Sequence, residues 1–289
     1  MKQVKEFVSF IKERHAIYEK KKAGLPKPWT KDPILQQYRF CNVYRELDTV
    51  TVWIRENWRD PWKNDPNVWF AMVVARVVNW PDTLYELSSA ISNGSKINWS
   101  PRNFKLEMDS RKSRGEKVWT GAYMIHADAK PGLTKAWYYA DDVLTPIWEK
   151  RKEGCTIISG ESSLQHAHRW LTQFRDMGSF MAAQIIADVK YTPLLANARD
   201  WWTWAAPGPG SLRGMSRVEF GDLGTKYTDS EWFESLTELR DRTLPLFTKA
   251  GLAPLHAQDL QNCLCEFDKY ERVRLGEGRP RSKYPGGAE

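Results

Sequence analysis

Histidine and cysteine are scarce in this chain, with five and four among 289 residues. Cys41, Cys155, Cys263 and Cys265 follow no disulfide spacing, so reduced thiols in a cytoplasmic protein are expected. Cys263-x-Cys265 and His166-x-His168 fall in helical patterns, where i and i+2 do not share a face. No metal site or cofactor is expected from them, although a divalent ion assisting a leaving group is compatible with the chemistry below. No apolar run approaches the ~20 residues that span a bilayer. The start, MKQVKEFVSFIKERHAIYEKKKAG, reads as a charged amphipathic helix and not as a signal peptide, so no membrane partner is expected. The absence of G-x-x-x-x-G-K-[ST] excludes a P-loop phosphotransfer site. Internal repeats and long linkers are also missing. The expectation is a monomer with one helical domain over residues 1–289, with room for two lobes.

Tryptophan, by contrast, is abundant at 15, enough for the core and for flat surfaces that could stack on bases. The net charge of +7, from 43 basic and 36 acidic residues, suits a nucleic-acid partner. Three-and-four spacing predicts a helix through Phe40, Val43, Leu47, Val50 and Ile54, and a second, strongly apolar one through DPNVWFAMVVARVVNW, stopped near Pro81. A third begins with Asp82 as a plausible cap. GESSLQHAHRWLTQFRDMGSFMAAQIIADVKY reads as two helices around a hinge at DMGS. TDSEWFESLTELRDRTLPLFTKAG carries a capping box through Ser230 and Glu234, and HAQDLQNCLCEFDKYERVRLGEG is the last helix. The tail RPRSKYPGGAE, residues 279–289, is basic and expected to be extended and flexible. The fold class is mainly α.

The stretch TWAAPGPGSLRG stands out. Pro207 and Pro209 cannot continue a helix, and Gly208, Gly210 and Gly214 let backbone come close to a neighbour. A phosphate group is the expected neighbour. In the hinge, Gly178 with Ala182 matches the second half of a helix-hairpin-helix G-x-G-x-x-x-A pattern. There the turn amides and a helix N-terminus, with Ser179, would face a DNA phosphate. Asp176 replaces the first glycine, and an ordinary helical hairpin is the competing reading.

Taken in order, YRFCNVYRELDTVTVWI, ARVVNWPDTLYEL, TGAYMI, GSFMAAQIIADVKYT, WAAPGPGSLRG and LCEFDKYERVRLGEGRPRSKYP resemble the phage-associated alpha-glutamyl/putrescinyl-thymine pyrophosphorylases, or amino acid:DNA transferases. The resemblance covers roughly residues 35–284, leaving 1–34 as an N-terminal helix and lead-in. It implies a fold related to helix-hairpin-helix DNA glycosylases. It also implies double-stranded DNA with modified thymine as partner, and an amino acid or polyamine as co-substrate. The amine would replace a phosphate or pyrophosphate on 5-hydroxymethyluracil. Glycosylases of that fold carry a catalytic Asp past the hairpin glycine; Asp200 is the nearest candidate here, in surroundings that do not match.

Such a substitution needs a phosphate site, a base and a pyrimidine pocket. Ser211 and Arg213 beside the Gly-Pro turn lead for phosphate, because a guanidinium presents a planar fork of donors. Arg45, Arg76 and Lys269 are further candidates, with a buried pair of Arg45 with Asp48 or Glu46 as the alternative. Asp188, Asp200, Glu266 and Asp268 are the candidate bases. Glu266 shares a helix face with Lys269 and Tyr270, so a salt bridge is the alternative there. Asn42, Asn79 and Gln184 offer amides that could read a pyrimidine edge, and Trp202 a stacking surface, with Trp201 and Trp204 beside it. Helix capping and interhelical bonds are the competing roles for the amides. Arg279, Arg281 and Lys283 would add salt-sensitive affinity for the DNA backbone. A glycosylase-like enzyme that excises modified bases, and a non-catalytic module that binds modified DNA, are the two competing functions.

Overall fold

Helices form where apolar residues recur at three and four, and they stop where side chains or glycines take over the backbone's hydrogen bonds. The computed structural model describes residues 1–121, 133–160, 162–224, 226–280 and 283–284. TGAYMI runs from Thr120 into residues outside that set, and Arg281 lies outside it as well. In chain order the helices are α1 (Val4–Lys22), α2 (Pro33–Gln37), α3 (Thr49–Ile54), α4 (Val68–Val78), α5 (Pro81–Glu86), α6 (Ser88–Ile91) and α7 (Pro101–Ser113). Then come α8 (Lys135–Tyr138), α9 (Thr145–Glu149), α10 (Arg151–Gly160), α11 (Leu164–Leu171), α12 (Ser179–Val189), α13 (Pro209–Phe220), α14 (Asp229–Lys249) and α15 (Ala257–Arg274). The fold is mainly α: the described residues pair as β only in isolated bridges, Tyr38 with Lys283 and Ser92 with Ile97.

The chain divides into two compact units, Met1–Asp48 together with Trp202–Glu289, and Thr49–Trp201. In the first, Phe7, Phe10, Ile11 and Ile17 form the buried stripe of α1, joined by Trp232, Leu236 and Leu239 of α14 and Leu260, Leu264 and Phe267 of α15. Trp232 is fully buried, and its indole N–H donates to the Ala205 carbonyl at 2.9 Å. The pairing of α13 with α15 is the closest contact of the unit. A Cβ on Gly214 would run into the Leu264 carbonyl oxygen and lie 2.7 Å from its carbonyl carbon; one on Gly210 would meet Cys265 Sγ at 3.3 Å. These glycines allow the close helix-to-helix approach of α13 and α15.

In the second unit, α4 is buried along its whole length, as a helix apolar on every side must be. Asn79, in the left-handed conformation at φ 46°, ends it. Tryptophans fill this core: Trp69 meets Trp170 edge-on with ring centres 5.3 Å apart, and α10 passes the pair only because Gly154 has no Cβ, which would lie 2.5 Å from Trp69.

Two boundaries differ from the sequence expectation. The helix predicted through Phe40–Ile54 starts only at Thr49. Before it, the Cys41 N–H donates to Glu266 and the Asn42 N–H to Asp48, so side chains take donors a helix would need. Arg45 consequently sits in a short 3-10 turn, Arg45–Leu47, and not in an apolar helix. The capping box of α14 is Thr228 with Glu231; Ser230 and Glu234 form an ordinary i, i+4 contact at 3.0 Å.

Candidate functional site

The first unit gathers its chemistry around the irregular segment 39–48, which bonds along α15. The Glu266 carboxylate, 8% exposed, accepts the Cys41 N–H and the Lys269 ammonium on Oε2, both at 3.0 Å. Its Oε1 carries no hydrogen bond among the described residues. Lys269 also donates to the Arg39 carbonyl at 2.5 Å and sits 4.5 Å from the centre of the Phe40 ring. The Asn42 carbonyl accepts from Asn262 and from Arg14 of α1. Asp48 accepts the Asn42 N–H, and burial pushes its carboxyl above the ordinary range. Burial and neighbouring Glu266 push the Cys265 thiol up to about 12, and burial raises Cys263 to about 11, so neither offers a thiolate near neutral pH.

Of the sequence candidates, Asn42, Glu266 and Lys269 come together here. The Asn42 amide donates to the Leu47 carbonyl, so it fixes the loop instead of facing a base edge. Arg45 contributes its backbone N–H to Asp259 at 3.0 Å. The remaining candidates of this unit lie elsewhere. Ser211 is fully buried; it exchanges hydrogen bonds with Gly208 at the start of α13 and accepts from Gln261. It therefore caps the start of α13 with Gly208. Asp268, 1% exposed, accepts from Arg213 at 2.9 Å and Arg217 at 3.1 Å, with Arg272 at 3.5 Å. Arginine guanidiniums surround it, and Arg213 is tied to it. Trp202 is half exposed and meets the His256 ring at 6.3 Å. Arg279 is exposed, and Lys283 pairs with Tyr38 next to Tyr284, whose N–H donates to Gln37 at 2.9 Å. The tail at 283–284 is therefore docked, not free.

The second unit holds Arg76, Asn79, Gly178, Ser179, Gln184, Asp188 and Asp200. Arg76 and Asp188 form a buried two-pronged ion pair at 2.5 and 2.7 Å, with Asn79 and Thr51 completing the guanidinium's partners. In that network Arg76, Asn79 and Asp188 bond to one another. Gln184 sits half buried one turn before Asp188. Asp200 accepts from the Leu164 N–H at 2.7 Å, the Gln165 N–H at 3.0 Å and the Ser163 hydroxyl. It caps α11: Asp200→Ala should cost about 1 kcal/mol of stability, read by thermal unfolding. The DMGS hinge joins α11 to α12 as expected. Asp176 there takes the left-handed φ of 58° and accepts from the Tyr138 hydroxyl at 2.6 Å, the backbone state a glycine would supply. Gly178 and Ser179 at the start of α12 are exposed.

Sequence reasoning missed Arg14 and Asn262, and took Asp48 only as a partner for Arg45, where the structure sets it on the Asn42 N–H. The signal for Arg14 was present: it occupies a position of the Phe7, Phe10, Ile11, Ile17 stripe, where an apolar residue belongs. The described residues hold no group of three His, Cys, Asp or Glu side chains converging as metal ligands. Among them, no helix is long and apolar enough to cross a membrane.

The family described as "5-hmdU DNA kinase, helical domain" matches residues 1–279. The chain belongs to this family. A similar curated protein, the 5-hmdU DNA kinase of Bacillus phage SP10, is 23% identical over 285 residues. The match takes in 91% of this chain and 44% of the phage protein, so the chain spans less than half the length of that relative. No solved structure matches.

Proposed function

We propose that this helical-domain protein is a DNA base hypermodification transferase, which replaces the phosphate or pyrophosphate on 5-hydroxymethyluracil in phage DNA with the amine of an amino acid or polyamine. The observation that carries the reading is Glu266: a nearly buried carboxylate with one oxygen anchored and the other unspent, beside Lys269. The family's 5-hmdU connection and the segments resembling the amino acid:DNA transferases support the substrate, and the lack of a P-loop argues that the chain does not make the activated base. Arrangement of α11, the turn and α12 around exposed Gly178 supports a helix-hairpin-helix relationship and an approach to DNA phosphate there.

In this mechanism the amine nitrogen attacks the exocyclic methylene carbon. The new C–N bond forms as the C–O bond breaks, and the oxygen leaves with the electron pair as phosphate or pyrophosphate. Oε1 of Glu266 takes the proton released from the amine, while Lys269 holds Oε2 in place. The site acts in the host cytoplasm, as a monomer and without a bound cofactor.

Mass spectrometry of nucleosides tests this. Hydroxymethyluracil DNA carrying the leaving group, incubated with amino acids and polyamines, should yield a thymidine adduct. Glu266→Gln should lower the yield by ~10²-fold or more while DNA binding is kept. The name of the phage SP10 relative favours a second reading, a helical module that presents the base to a kinase active site outside this chain. That reading requires no adduct from the chain alone and no effect of Glu266→Gln.

A further inference from the structure

Arg14, Arg59, Arg76, Arg111 and Arg217 are buried among the described residues. A guanidinium removed from water is costly unless its charge is paired. Four of them obey: Arg59 pairs with Asp60, Arg76 with Asp188, Arg111 with Glu86 and Arg217 with Asp268. Arg14 does not. At 4% exposure its Nη2 donates only to the backbone carbonyls of Cys41 at 2.5 Å and Asn42 at 3.2 Å, and its Nε and Nη1 have no hydrogen-bond partner. A planar group tethered at one corner with the rest of its donors unspent matches the requirements of an oxyanion receptor.

The surroundings agree. Arg14 lines a cavity of about 30 Å³ with Tyr18, Lys21, Asn42 and Tyr284, and no acidic side chain borders it. Lys21 donates to the Tyr284 hydroxyl at 3.3 Å, and Lys27 and Arg39 sit 5.3 and 5.6 Å from the centre of the same ring. The larger groove of about 1100 Å³ in this unit mixes Glu6, Glu13, Asp32 and Glu271 with Lys20, Lys31 and Arg274, so it offers an anion no excess of positive charge.

We infer that Arg14, with Lys21 at the rim, is the receptor for a terminal phosphate. Two cations lining the cavity, Arg14 and Lys21, with Lys27 and Arg39 near the Tyr284 ring at its edge, suit a phosphate dianion better than a single carboxylate. The volume takes about one water-sized oxygen, so the group seats one oxygen on Arg14 and keeps the others at the mouth beside Lys21. Seating it requires the guanidinium to turn toward the cavity about its two carbonyl tethers. The receptor stands on this geometry; that its phosphate is the one displaced from the base rests on the transferase reading.

The test uses the full chain, with inorganic phosphate and pyrophosphate titrated separately by calorimetry and thermal shift. Pyrophosphate should raise the melting temperature of the wild type. Arg14→Met should weaken binding at least tenfold; because it also gives up the two carbonyl bonds and the Phe10 contact, its unliganded melting temperature is read beside the binding to separate folding from recognition. Lys21→Ala, at an exposed position, should weaken binding several-fold with unchanged melting, and it remains informative if the Arg14 variant fails to fold. Binding that survives both substitutions, or an Arg14→Met protein that is destabilised and still binds, overturns the receptor. Competition by an unmodified DNA duplex but not by pyrophosphate also overturns it, since the source would then be the DNA backbone. No amine transfer is read, so failure of the transferase reading leaves a separate result.

Discussion

Asp188→Leu is expected to destabilise the protein by about 3–5 kcal/mol, because it leaves the Arg76 guanidinium buried without its carboxylate. Both side chains are almost fully buried, and the pair is bidentate, with Asn79 and Thr51 as the other partners. The double substitution Arg76→Met with Asp188→Leu removes both charges and should recover most of the loss, since apolar replacements of a whole buried pair are often neutral. Denaturant unfolding of the two single variants and the double gives the coupling energy directly. A double variant no more stable than Asp188→Leu would show that the network's value lies outside the pair.

Gly214→Ala should cost about 3 kcal/mol or more, at the upper end of overpacking effects. The methyl group would meet backbone, the Leu264 carbonyl, which cannot rotate away as a side chain can. Relief requires α13 to move off α15, which also disturbs the Asp268 ion pairs with Arg213 and Arg217. Gly178→Ala provides the control: a Cβ there meets nothing within 4 Å and the backbone φ is −60°, so its stability should change by less than about 0.5 kcal/mol. Thermal unfolding of the two variants side by side settles whether the glycines of α13 serve packing. Equal melting temperatures would return them to a ligand.

The contrast between those glycines marks how far the residues could be read in advance. Periodicity located α1, α4, α12 and α15, because each must bury an apolar face and shows it every three or four residues. It failed at residues 40–48, where long-range partners, Glu266 on the Cys41 N–H above all, decide against helix over a separation no local pattern carries. Glycine and serine near 210 looked like a phosphate loop because sequence shows small residues without showing what lies against them; the neighbour proved to be a helix. Glu266 and Lys269 were legible as a helix-face pair, and the structure adds the Cys41 N–H on that carboxylate. Arg76 and Asp188, 112 residues apart, could each be suspected as an odd charge in an apolar helix, but their pairing required the fold. Arg14 was an odd charge of the same kind on α1.

The first unit is assembled from both ends of the chain, Met1–Asp48 and Trp202–Glu289, whereas the second is one continuous stretch, Thr49–Trp201. On the ribosome the two therefore mature in a fixed sequence, since a nascent chain folds as its parts emerge. The middle can collapse once its last residues leave the exit tunnel. The leading helix α1, its apolar stripe uncovered, must wait for α14 and α15. During that interval Phe7, Phe10 and Ile11 are the surface most open to chaperones, and a chain cut short before α15 would lose the unit built from two segments while keeping the continuous one whole.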